Sequence, residues 1–139
     1  QRTVEVRGPA WVAAAVPLFV ERVKTLLELA RAMTFLFVAP ASLDPKAVEK
    51  YLTPKHQTHL AEVRRLVAET ADLTADALEQ QVRGLAERVG GKMVDFAQPI
   101  RVALTGTAAS PPIFPILVLL GREEAVARLD RALKASGDR

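Results

Sequence analysis

Cysteine is absent from this 139-residue chain. That excludes disulfides, thiolate metal sites and thiol nucleophiles, and it suits a reducing compartment such as the cytoplasm. Aromatic residues are scarce, with one Trp, one Tyr and five Phe. A recognition surface built mainly on base-stacking platforms is therefore not expected. Charge of one sign is not in great excess: 19 Lys and Arg against 16 Asp and Glu leave a net +3. This permits an anionic partner but excludes a binder that relies on a dense positive surface. No apolar run reaches the ~20 residues of a membrane span, so no membrane partner is expected. Residues 8–20 are uncharged and follow Arg2 and Arg7, as in a signal peptide. Glu5 spoils that pattern, however, and no small-residue cleavage site follows. Catalytic signatures are lacking too. Around Gly91-Lys92, Ala86 and Met93 stand where a P-loop needs its first glycine and its hydroxyl. Ser110 has no G-x-S-x-G setting and no base placed beside it.

Half of the residues are hydrophobic, Ala and Leu are abundant, and no window alternates as a strand. The fold class expected is all-α: a bundle of about seven helices, divisible into two small packed subdomains. The boundaries are a tail or linker at 1–8, a first helical subdomain at 9–72 and a second at 73–139. Pro9 begins helical sequence, which Pro17 kinks or restarts. Val23, Leu26, Leu27, Ala30, Met33 and Phe37 then form one helix face, up to Pro40. Asp44-Pro45 and Thr53-Pro54 each read as a cap followed by a proline in the first turn. Thr74 caps a helix bearing Leu78, Val82, Leu85 and Val89, which Gly90-Gly91 ends. A last amphipathic helix runs from Arg122 to Ala135. His56, His59 and Glu62 share a helix face at 3-residue spacing, which suits either a metal pair or a plain solvated face. Without a further ligand in sequence, the solvated face is preferred and no metal is expected.

The chain is organised around Gln98-Pro-Ile-Arg-Val-Ala-Leu-Thr-Gly106, the loop to Ser110-Pro-Pro, and the run Ile113–Leu120. Pro99 suits the first turn of a short helix, on which Arg101 is the single charge. Gly106 ends that helix with a positive φ. Ser110 reads as the cap of the next helix, with Pro111 at its first position and an all-round apolar, buried body closed by Gly121. The expected product is a helix–loop–helix with a rigid loop and one guanidinium beside it.

In these residues, QPIRVALTG, SPPIF, LLG and Ala127-Arg128-Leu129, the chain resembles the C-terminal end of bacterial glutamyl-tRNA synthetases, whose pattern runs close to QPLRVALTG, SPGLF, LLG and ARL. Glu21-Arg22-Val23-Lys24-Thr25-Leu26 resembles that family's ER-(x)-KTL helix, so the likeness covers most of the chain. The family's HIGH-like and KMSKS-like signatures, which hold ATP, are missing. The resemblance thus implies the anticodon-binding part of a glutamate–tRNA ligase, itself not catalytic and without a cofactor. ATP and magnesium are implied for the parent enzyme, and Gln1 in place of Met points to a fragment. The implied partner is tRNA, at its anticodon loop, bound by a monomer in the cytoplasm.

Anticodon bases are single-stranded, so their edges can be hydrogen-bonded by a preformed loop. Arg101, Ser110 and the N–H groups opening the next helix supply donors, Pro111 and Pro112 stiffen the loop, and Ile113 is placed to press on a base or ribose. The resemblance implies the same RNA-binding residues, Arg101, Ser110, Pro111 and Ile113, and adds Arg22 and Lys24 on the first helix. For Arg101 the competing reading is a structural arginine, and for Arg22 and Lys24 a solvated helix face. The chain departs from the family's pattern at Leu73, at Pro112, at Pro115 and at Glu124, where an acid in place of a base removes a charge for RNA backbone contacts. Two alternatives stand beside this reading: a free-standing helical module binding tRNA or protein, and an unrelated helical bundle with a buried arginine.

Overall fold

Asp44 and Thr74 open helices as the sequence predicts. The Asp44 carboxylate accepts from the Lys46 N–H at 3.3 Å, and the Thr74 hydroxyl accepts from the Ala77 N–H at 3.3 Å. Each supplies a partner to an amide that the first helical turn leaves unpaired. The computed structural model describes Val4 and residues 8–20, 26–110 and 112–137. Among these, the chain is all-α. The helices are α1 (Pro9–Ala15), α2 (Leu26–Ala32), α3 (Thr34–Phe37), α4 (Pro45–Tyr51), α5 (Pro54–Glu69), α6 (Ala75–Arg88), α7 (Val94–Thr105), α8 (Ile113–Leu120) and α9 (Arg122–Gly137). A 3₁₀ turn at Val16–Leu18 follows α1, and Pro17 lies within it. No described helix is long and apolar enough to cross a membrane.

The first helical stretch differs from its periodicity. Leu26 and Leu27, placed on the apolar face by spacing, are 84% and 59% exposed, whereas Met33 and Leu36 are buried. The core instead covers Leu29, Ala32, Met33 and Leu36, which keep helical spacing on a face rotated from the one that Leu26, Leu27 and Ala30 share. The Thr34 hydroxyl donates to the Ala30 carbonyl at 3.1 Å where α2 gives way to α3. Val89, likewise assigned to the α6 stripe, lies just beyond that helix and is exposed. Leu78, Val82 and Leu85 are buried as expected.

One core joins the helices. Leu60, Val63 and Val67 of α5 meet Phe96, Ile100 and Leu104 of α7, Ile116, Leu117 and Leu120 of α8, and Ala125 and Leu129 of α9. Each large side chain removed from water there contributes roughly 1.5–3 kcal/mol. α1 is tied to this core by Trp11, whose indole N–H donates to the Leu119 carbonyl at 3.0 Å. α9 stitches the rest through arginines. Arg64 of α5 makes a forked bond to Asp130, and Arg122 donates to the Thr70 carbonyl at 2.6 Å, covering the end of α5. Glu124 is engaged as well: its carboxylate accepts from Arg128 Nε at 2.8 Å. The acid that departs from the family's pattern therefore serves the interior of the fold.

Candidate nucleic-acid interface

Pro99 sits inside α7, not in its first turn, because the helix already begins at Val94. The Lys92 N–H is accepted by the Asp95 carboxylate at 3.0 Å, which steadies that early start. A proline at this depth has no N–H to give to the carbonyl of Asp95, one turn back. His59 compensates. Its Nδ1 lies 3.4 Å from the Asp95 carbonyl and, since a carbonyl only accepts, Nδ1 carries the proton. The ring stacks on Phe96 at 4.3 Å between centroids. His56 is bonded instead to the Thr53 hydroxyl at 2.8 Å. The two histidines thus brace the start of α5 and the first turn of α7. Among the described residues, no three His, Cys, Asp or Glu side chains converge to hold a metal ion.

These contacts set a pH dependence. Burial, then the neighbouring Lys55 and His59, lowers the His56 pKa below its ordinary 6.5, against an opposing pull from Asp95. The folded protein therefore takes up this proton less readily than the unfolded chain. Stability from His56 is full above about pH 6.5 and is lost as pH falls below it. The Lys92 N–H is the main cause that lowers the Asp95 carboxyl below 3.8, so its stabilisation is present above that value and is lost in acid. Urea unfolding from pH 8 to 5 should show falling stability for the native chain and a flatter profile for His56→Gln. Equal slopes in both would refute the role given to His56.

Gly106 ends α7 as expected, in the left-handed region at φ 84°. Ser110 does not cap α8. That helix starts at Ile113 with Pro112 at the cap position and no side-chain cap bond. A proline disfavours helical geometry in the residue before it, so a Pro-Pro pair delays the helix until after its second member. Ser110 Oγ instead accepts from Arg101 Nε at 2.9 Å, while Arg101 NH1 donates to Gln98 Oε1 at 2.9 Å. The structure thus brings Arg101 and Ser110 together, half-buried, with Gln98 as a second partner of the guanidinium. The loop is braced further. The Thr105 hydroxyl donates to the Arg101 carbonyl at 2.8 Å and accepts from the Thr107 N–H at 3.3 Å. The Thr107 hydroxyl donates to the Ala109 carbonyl at 2.9 Å.

Ile113 is only 3% exposed and belongs to the core beneath the loop, not to its outer surface. Pro111, Arg22 and Lys24 lie outside the described residues. Beside the loop opens a pocket of about 300 Å³, lined by Thr105, Thr107, Ala109 and Ser110 on one side and by Phe19, Ala32 and Phe35 on the other. Phe19 and Phe35 are in ring contact at 5.8 Å. Phe19 is buried in the core and Phe35 packs against it, so this wall of the pocket is the edge of the core. Sequence reasoning passed over Gln98 and Thr107 as site residues. The signal for Gln98 was there, three residues before Arg101 and so on the same helix face.

Comparison with known proteins gives these residues a setting. Residues 2–133 match the family model described as an anticodon binding domain. The chain is 48% identical over 127 residues to glutamate–tRNA ligase 2 of Rhodospirillum centenum, covering 91% of this chain and 27% of that protein. It is 43% identical over 118 residues to glutamate–tRNA ligase of Anaeromyxobacter sp., covering 85% of this chain and 25% of that one. Among solved structures, a glutamate tRNA ligase from Elizabethkingia meningosepticum, crystallised with its amino acid, superposes with a TM-score of 0.87 at 25% identity. That match covers 94% of this chain and 26% of the other. The chain therefore spans about a quarter of the length of these relatives.

Proposed function

Because the chain belongs to the anticodon-binding domain family, we propose that it is the tRNA-recognition part of a glutamate–tRNA ligase. In this reading the catalytic portion lies elsewhere in a longer parent enzyme, which holds ATP and magnesium and joins glutamate to its tRNA. The domain acts as a monomer in the cytoplasm and takes the anticodon loop of the glutamate acceptor. Arg101 and Ser110 meet the bases, Pro111 stiffens the approach, Ile113 forms the floor of the loop, and Arg22 and Lys24 approach from the first helical segment. The observation that carries the proposal is the Arg101–Ser110 bond beside the Phe19–Phe35 pocket. A guanidinium already held by a neighbour needs little ordering before it presents its donor fork to a base edge. Few phosphate contacts are required, in keeping with the net charge of +3.

The test is Arg101→Ala, titrated with glutamate-accepting tRNA and with versions substituted at each anticodon base. Loss of a base-reading arginine should weaken cognate binding by roughly 1–3 kcal/mol, about 5- to 150-fold. The effect should disappear for RNA substituted at the partner base, while the melting temperature moves little. Lysine should not restore binding fully, since one ammonium cannot reproduce the fork. A variant that melts several degrees lower and binds every anticodon equally poorly would make Arg101 structural and remove it from the site.

A further inference from the structure

Two arginines one helical turn apart on α9 reach the backbone on either side of Gly106. Arg128, 1% exposed, donates from NH1 to the Leu104 carbonyl at 2.7 Å. That carbonyl belongs to the last turn of α7, where no intrahelical N–H is available to it. Arg131 donates to the Pro40 carbonyl, in the segment that joins α3 to α4. Residues three apart on a helix are neighbours on its surface, so the two guanidinium groups act side by side.

Between their targets the two backbone segments cross at close range. A Cβ added to Gly106 would stand 3.2 Å from Pro40 Cβ and 3.2 Å from the Ser42 carbonyl oxygen. The Gly106 carbonyl in turn accepts from the Asp44 N–H at 2.7 Å. The crossing is therefore held at three points: Leu104 by Arg128, Pro40 by Arg131, and Gly106 by Asp44. The loop that begins at Thr107 leaves α7 directly from this crossing.

We propose that Arg128 and Arg131 are positioning residues for the RNA-reading loop. They hold the Leu104 and Pro40 carbonyls and so set the direction in which the loop departs from Gly106. Neither arginine touches the RNA in this arrangement. Their influence passes through the crossing to Ser110 and, by the Arg101–Ser110 bond, to Arg101. The proposal rests on the reading in which this loop meets RNA, but its mechanical half can be tested without RNA.

Arg131→Met keeps the aliphatic body and removes the donors, and Arg131→Lys keeps one donor and the charge. Arg64→Met serves as the control, because it breaks a partly exposed α5–α9 ion pair whose bonds do not include the Leu104, Pro40 or Gly106 backbone. The first readout is amide hydrogen exchange at Asp44, Gly106 and Thr107. Losing one hydrogen bond of ordinary strength should speed exchange at these amides by about tenfold in Arg131→Met. Arg131→Lys should lie between, and Arg64→Met should leave these amides unchanged. The second readout is discrimination between the anticodon stem-loop of glutamate-accepting tRNA and one substituted at an anticodon base. Arg131→Met should reduce that ratio several-fold at unchanged fold, and Arg64→Met should not. Unchanged exchange in Arg131→Met, or the same acceleration in the control, overturns the positioning role. Accelerated exchange with unchanged discrimination also overturns it, since the loop would then read RNA whatever its exit direction. If the native chain binds no stem-loop, the functional reading fails, and the exchange result alone still decides whether the arginines set the crossing.

Discussion

Replacing Arg128 by methionine is expected to cost about 3–5 kcal/mol of folding stability. The guanidinium is almost wholly enclosed and is paired with Glu124 at 2.8 Å and with the Leu104 carbonyl at 2.7 Å. Methionine fills much of the volume but leaves a carboxylate with 12% of its side-chain surface exposed beside no guanidinium. It also leaves the end of α7 without a donor. For a domain of this size, 3–5 kcal/mol corresponds to a melting temperature lower by roughly 10–15 °C. A double variant, Arg128→Met with Glu124→Leu, removes the buried charge altogether. Replacing an ion pair by apolar groups is often neutral or better, so the double variant should recover more than half of the loss. The part not recovered measures the Leu104 carbonyl. Calorimetry or urea unfolding of the three proteins decides the matter. A single variant within about 1 kcal/mol of the native chain would contradict the account, since removing one member of a buried ion pair typically costs about 3–5 kcal/mol.

Gly106→Ala is expected to cost about 2–4 kcal/mol. Left-handed backbone at φ 84° is open to glycine but costs any residue with a Cβ about 1–2 kcal/mol. The new methyl would also press on Pro40 and on the Ser42 carbonyl at 3.2 Å, so the segment before α4 must give way by a few tenths of an ångström. Gly84 offers the contrast. It lies in the middle of α6, and a Cβ there meets nothing within 4 Å. Gly84→Ala should therefore stabilise the fold by roughly 0.5–1 kcal/mol through helix propensity and the unfolded chain. The two alanine variants, measured together by thermal unfolding, should move in opposite directions. If both are neutral, the Gly106 backbone is not held left-handed and the crossing is not close-packed.

Much of the fold was readable because it depends on residues within a turn of one another. The caps at Asp44 and Thr74, the positive φ at Gly106 and the enclosure of Ile113–Leu120 all follow from local hydrogen bonding, backbone sterics or an unbroken apolar run. Those determinants lie along the chain itself. The motif order around Arg101 likewise pointed to the right family before any contact was seen. The tertiary structure decided the matters that need a partner from elsewhere. Pro99 is tolerated inside α7 because His59, on another helix, stands at the carbonyl that proline leaves without a donor. Leu26 and Leu27 keep helical spacing yet face outward, because the rest of the fold packs on the neighbouring face of that segment, through Leu29, Ala32, Met33 and Leu36. Arg128 stands on an amphipathic helix four residues after a glutamate, a pattern that reads as an ordinary surface pair. Packing alone places α7 across it and turns it into a buried anchor. Spacing along one helix sets which residues share a face, but the identity of what covers that face depends on how distant segments pack.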